Sequence, residues 1–118
     1  MHSGAWWEIT SVQSLARVYL SGLPGYTARA EYEWDPEKDR INRQKHGVPF
    51  AEASTVFLDP LHVTVLDDRH SVEEVRFRTI GYTNAHRLIV VAHTDRTERI
   101  RIINAREATA RERRHYEQ

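Results

Sequence analysis

The chain has 118 residues, 40% of them hydrophobic and 29% charged, enough for one domain with a real core and too apolar for wholesale disorder. No apolar run approaches the roughly 20 residues of a membrane span. The absence of cysteine excludes disulfides, thiolate zinc sites and thiol nucleophiles, and fits a reducing cytoplasm. Seventeen bases balance 17 acids, but the zero is unevenly composed: +1 over residues 1–30, −5 over 31–68 and +4 over 69–118. Fifteen of the bases are arginine, the side chain suited to bidentate phosphate contacts.

Residues 1–30 read differently from the rest. Ile9, Val12 and Tyr19 fall near helical spacing, so a short amphipathic helix is expected within 6–20. Ser21, Gly22, Pro24 and Gly25 then break the chain. Gln13 and Arg17 interrupt the apolar part and no basic segment leads it, which is unlike a secretory signal. These residues read as an N-terminal extension, disordered or translated from a misassigned start, with a partner-binding helix as the alternative. The domain proper is 31–118.

From Glu31 onward the signals sharpen. A short strand is expected over 31–34. Asp35-Pro36 opens a helix, the carboxylate capping orphan N–H groups and the proline standing where no N–H is needed. Gly47 closes it in the left-handed conformation. A second helix over 49–58 carries Phe50, Ala53 and Phe57 on one stripe. Strands follow over 61–66, 76–82, 87–93 and 99–103, the last three joined by short turns as an antiparallel meander. Thr109 and Glu112 form a capping box for a last helix over 110–118. The order is βααββββα. It implies an α+β domain with the helices grouped on one side of an antiparallel sheet, two packed on one face and one C-terminal.

Alternation turns the strands into surfaces. Arg76 and Arg78 share one face, and so do Arg99 and Arg101. If the apolar faces meet the helices, these four line the uncovered face, with His93 near its rim. Such a face is either solvated and partly neutralised by Glu73, Glu74 and Glu98, or a phosphate-binding surface. Lys45 and His46 stand at a helix C-terminus, where the dipole favours a charged imidazole; His46 is a capping side chain or a proton carrier. His70-Ser71 before Glu73-Glu74 is a loop contact, an N-cap or part of a site. Seven histidines show no metal-ligand spacing, and neither a serine elbow nor a glycine-rich phosphate loop occurs.

The assembled residues resemble the BrnT toxins. The likeness starts at Glu33-Trp34-Asp35-Pro36, Asn42, Lys45-His46-Gly47-Val48, Phe50, Glu52-Ala53 and Val56-Phe57. It continues through Asp68, His70-Ser71, Glu74, Arg76, Ile80-Gly81, Val90-Val91, Thr94 and Arg96. It ends with Arg101-Ile102-Ile103-Asn104-Ala105-Arg106, Ala108, Glu112-Arg113 and Tyr116. Asn104 stands where serine is commoner, and residues 1–30 have no counterpart.

The resemblance implies a RelE-like fold and a cytoplasmic endoribonuclease toxin of a type II toxin–antitoxin pair. It implies RNA cleavage without metal or other cofactor, growth arrest, and neutralisation by a BrnA-like protein antitoxin in a hetero-oligomer. Operator DNA would be met only through the antitoxin, and no membrane is involved. Metal-free cleavage needs a ribose 2′-OH activated, phosphorane charge stabilised and a leaving oxygen protonated. Lys45, His46, Arg76 and Arg101 are the expected catalytic residues, with Arg78, Arg99, His70 and His93 as RNA contacts. The competing class is a non-catalytic module that only binds nucleic acid or the antitoxin.

Overall fold

The computed structural model describes residues 31–96 and 98–118. The helix expected within 6–20 and the character of residues 1–30 lie outside the described residues.

Five strands form one sheet in the order β1-β5-β4-β3-β2. They are β1 (Glu31–Glu33), β2 (Val63–Leu66), β3 (Phe77–Tyr82), β4 (Leu88–Asp95) and β5 (Arg99–Glu107). The helices are α1 (Pro36–His46), α2 (Phe50–Ala53) and α3 (Ala110–Tyr116). From β3 to β5 the chain runs as the expected antiparallel meander, β2 adds to it antiparallel to β3, and β1 pairs with β5 in parallel. The sheet is therefore mixed. The chain leaves β1 through both helices to reach β2 at the far edge, and three reversals bring β5 back in the sense of β1.

The local signals act as the sequence suggests. Asp35 accepts from the Glu37 N–H at 2.9 Å, and Gly47 takes φ 70° while its N–H bonds the Arg43 carbonyl. Thr109 and Glu112 complete their capping box. The second helix is shorter than expected, because Ser54–Leu58 tightens into a 3₁₀ turn. Ser54 and Thr55 hydroxyls bond back to Ala51 and Glu52 carbonyls at 2.7 and 2.6 Å, competing with the α-helical ladder. Strand β5 runs on to Glu107, four residues beyond the expected end.

Both faces of the sheet are covered. Val48, Phe50, Ala53 and Val56 pack onto Ile89, Val91, Ile102 and Ala105, with Tyr32 and Trp34 at the margin. The 3₁₀ turn lies so close to β3 that a Cβ on Gly81 would stand 3.0 Å from Val56 Cγ1 and 3.1 Å from His62 Cβ. On the other face Ile80, Leu88 and Val90 pack with Val63, Tyr82, Ala108 and Tyr116. Thus α3 does not join α1 and α2 but covers half of the face expected to be open. Strand β4 explains why: Leu88 and Val90 are apolar as well as Ile89 and Val91, so each face needs cover.

Candidate active site

The uncovered half of the α3 face carries one row of polar side chains across all five strands. Glu33 is opposite Arg101, and Arg101 is opposite Thr94. One step beyond the Phe77–His93 pair, the register sets Arg76 beside Thr94. The Asp67 N–H donates to the Arg76 carbonyl at 2.8 Å, extending the β2–β3 ladder by one residue. Thr94 is buried, and its Oγ1 has no hydrogen-bond partner among the described residues.

At the β2 end the row turns into a cleft of about 580 Å³ lined by Arg69, His70, Val72, Glu73, Glu74 and Arg76. Asp67 is only 7% exposed. Its carboxylate accepts from His70 Nδ1 at 3.0 and 3.1 Å. A donating Nδ1 leaves Nε2 to act on a ligand. Ser71 fixes this turn: its hydroxyl donates to the Asp67 carbonyl at 2.6 Å and accepts from the Arg76 N–H at 2.9 Å. Three residues of one tight turn thereby hold an imidazole beside a guanidinium.

The arginines are not equivalent. Arg101 is 3.2 Å from Glu33, and Arg99 is 3.4 Å from Glu31 and 3.7 Å from Glu33. Arg96 bridges Glu33 and Glu74 at 3.9 and 3.8 Å. Much of the basic face is thus neutralised by Glu31 and Glu33 of β1; of the expected Glu73, Glu74 and Glu98, Glu74 takes part through Arg96. Arg76 and Arg69 have no ion pair among the described residues. Arg78 is half-buried one row further along, opposite Ala92 and Val65.

His93 departs from expectation. It is 1% exposed and lies on the helix-covered face, its ring centroid 5.0 Å from Phe57 and 5.8 Å from Phe77. Its Nδ1 meets Asp95 at 2.7 Å and its Nε2 meets Thr79 Oγ1 at 2.7 Å. A side chain so enclosed is not an RNA contact but part of the core. The error is one of faces: His93 alternates with Val91 and Ile89, which are core.

Lys45 and His46 are not in the Arg76 cleft. They line a separate one of about 390 Å³ with Lys38, Ile41, Asn42, Ile103, Asn104 and Arg106. Asn42 sets that geometry, donating to the Val48 and Ala105 carbonyls at 2.9 and 2.8 Å. Arg87 braces the same helix end, donating to the Gly47 carbonyl at 3.0 Å while gripping Glu52 at 2.5 and 2.9 Å. Sequence reasoning missed Asp67, whose only signal is its place three residues before His70. Among the described residues, no three His, Cys, Asp or Glu side chains gather as metal ligands.

The profile of a family described as "Ribonuclease toxin, BrnT, of type II toxin-antitoxin system" matches residues 34–112, about two thirds of the chain. The chain belongs to the BrnT family. It is thus a ribonuclease toxin of a type II toxin–antitoxin system, a class that implies a protein antitoxin as partner. Every polar group of the row from Asp67 to Arg101 and both clefts lie within the matched segment. A crystal structure of the Brucella abortus ribonuclease toxin BrnT is similar in fold, with a TM-score of 0.51 and 21% identity. The likeness covers 69% of this chain and 99% of that one. A search of curated proteins finds no match. No described helix of this BrnT-family chain is long and apolar enough to cross a membrane.

Proposed function

We propose that this BrnT-family toxin is a cytoplasmic endoribonuclease that cleaves RNA without a metal, arrests growth, and is neutralised by a BrnA-like antitoxin. The observation that carries the catalytic assignment is His70, held through Nδ1 by buried Asp67 and lining the same cleft as Arg76, which has no ion pair among the described residues. In the proposed reaction the ribose 2′-oxygen attacks the adjacent phosphorus and the P–O5′ bond breaks. The 2′-hydroxyl proton leaves, the 5′-oxygen gains one, and the products are a 2′,3′-cyclic phosphate and a 5′-hydroxyl. His70 Nε2 moves one of these protons. The Arg76 and Arg69 guanidiniums meet the charge that develops on the phosphorane, where preorganised donors are worth most. Arg101 and Arg78 hold the neighbouring backbone.

The test is cleavage of an oligoribonucleotide by the purified chain in excess chelator, with the product ends identified. Wild type is expected to cleave and leave cyclic phosphate ends. His70→Gln should be slower by about 10²- to 10⁴-fold, the usual contribution of a general acid or base. A folded His70→Gln variant that cleaves at the wild-type rate would overturn the assignment. Antitoxin binding by a wild-type chain that cleaves nothing would favour the non-catalytic reading instead.

A further inference from the structure

Only two of the chain's 17 bases are lysine, and both Lys38 and Lys45 line the α1–β5 cleft. They are seven residues apart on one face of α1, a rise of about 10 Å. Ile41, 47% exposed, lies between them, and Asn104 and Arg106 form the opposite wall. Among the described residues, no carboxylate lines this cleft. Elsewhere on α1 the charges are paired: Arg40 binds Glu37, and Arg43 is 3.7 Å from Asp39. Arg106 is engaged by Glu112 at 2.8 and 2.9 Å. The two lysines have no ion pair among the described residues. The cleft therefore presents uncompensated positive charge in a chain whose net charge is zero.

One wall of the cleft, Asn104, belongs to the polar face of the sheet. Asn104 pairs with Ala92 in register, and Ala92 pairs with Arg78, so all three point to the same face as Arg101 and Thr94. From β5 to β3 is two strand spacings, about 10 Å. Asn104 thus belongs both to the cleft and to the sheet face that runs across the arginines to Arg76 and His70.

We infer that the α1–β5 cleft is a second subsite for the RNA strand, binding backbone phosphates away from the bond that is cleaved. Lys38 and Lys45 are the phosphate ligands, and Asn104 contacts the base or ribose between cleft and sheet. The inference rests on the ribonuclease reading for the identity of the ligand. Lysine suits this role: an ammonium on a flexible stem holds phosphate as a point charge without fixing its orientation. Lysines rooted about 10 Å apart along the helix reach more than one phosphate, so the subsite serves a strand rather than a mononucleotide. The same cleft could attract an acidic protein segment. Its continuity with the sheet face that carries His70 and Arg76 favours the strand.

The experiment uses the full chain and a short 2′-O-methylated oligoribonucleotide, which lacks the attacking hydroxyl and so reports binding alone. The Lys38→Gln/Lys45→Gln double variant should bind this probe about tenfold more weakly. Its plot of log affinity against log salt should be shallower by about 1.4, as expected when two phosphates of a single strand keep their counterions. Both lysines are exposed, and circular dichroism checks the fold. Unchanged probe affinity would overturn the inference. So would loss of association with a purified BrnA-like antitoxin while probe binding is retained, which would assign the cleft to the protein partner. The catalytic reading is tested separately by His70→Gln cleavage, so either reading can fail without the other.

Discussion

Asn42 uses its carboxamide as a piece of strand, pairing with Ala105 on the open edge of β5. Its Nδ2 donates to the Ala105 carbonyl at 2.8 Å, and its Oδ1 accepts from the Ala105 N–H at 3.2 Å. Strand β1 pairs with β5 only from Arg99 to Arg101, so the ladder would otherwise end in unmet backbone groups. The same side chain also reaches the Val48 carbonyl, fixing the turn after α1. One residue thus joins helix, turn and sheet edge, and holds Lys45 and His46 over Asn104.

Removing that joint should be costly. Asn42→Ala strands an N–H and two carbonyls in a buried site, and about 3 kcal/mol of unfolding free energy should be lost. Asn42→Asp should be little better, since an ionised carboxylate can accept from Ala105 but donates to neither carbonyl. Urea unfolding measures both, and a loss under about 1 kcal/mol would show that water replaces the side chain.

Glu52 predicts a pH dependence. The Arg87 guanidinium beside it holds its carboxyl below the usual range, against the opposing effect of burial, with help from the Thr83 hydroxyl. A carboxylate lowered in the folded state contributes stability above its unfolded pKa, about 4.3, and that contribution is lost as the pH falls through the lower folded value. Glu52→Gln should therefore lower stability by about 1–2 kcal/mol at pH 7 and flatten the stability profile below about pH 4. Parallel profiles for the two proteins would contradict this.

The C-terminal helix hangs on Tyr116. Its hydroxyl donates to Asp59, and burial, followed by that carboxylate, pushes the phenol well above its ordinary range. Burial raises Asp59, but hydrogen bonds from Tyr116, the Tyr82 N–H and the Leu61 N–H outweigh it and leave its pKa lowered. No residue of α3 is fully buried; this contact, the Arg106–Glu112 pair and the packing of Tyr116 against Tyr82 attach it to the sheet. Tyr116→Phe should cost about 1–2 kcal/mol, and hydrogen exchange in residues 110–116 should accelerate ahead of the sheet.

Arginines on one face should differ in effect. Arg76 makes no ion pair among the described residues and lies beside His70, whereas Arg101 is already engaged by Glu33 at 3.2 Å. Arg76→Gln should reduce cleavage by about 10²-fold, the scale of one lost transition-state donor. Arg101→Gln should reduce it by less than about tenfold. Single-turnover cleavage decides, and equal losses would show that the row acts as one unit.

Much of this protein was determined by local chemistry. Asp35-Pro36, Gly47 and the Thr109–Glu112 box fix helix ends because each satisfies backbone groups within a few residues. Alternation on β3 and β5 put Arg76 with Arg78 and Arg99 with Arg101, since successive side chains leave opposite faces of a strand. The pattern of residues within 34–112 carried the family. Tertiary structure decided what depends on distant partners. It buried His93 among Phe57, Phe77 and Thr79, set α3 on the second face, and matched Glu33 to Arg101 across 68 residues. It also parted Lys45 and His46 from Arg76, and placed Asp67 behind His70. Which face a strand buries, and which strand lies beside it, follows from how the whole sheet covers its apolar surface, and no short stretch of sequence contains that information.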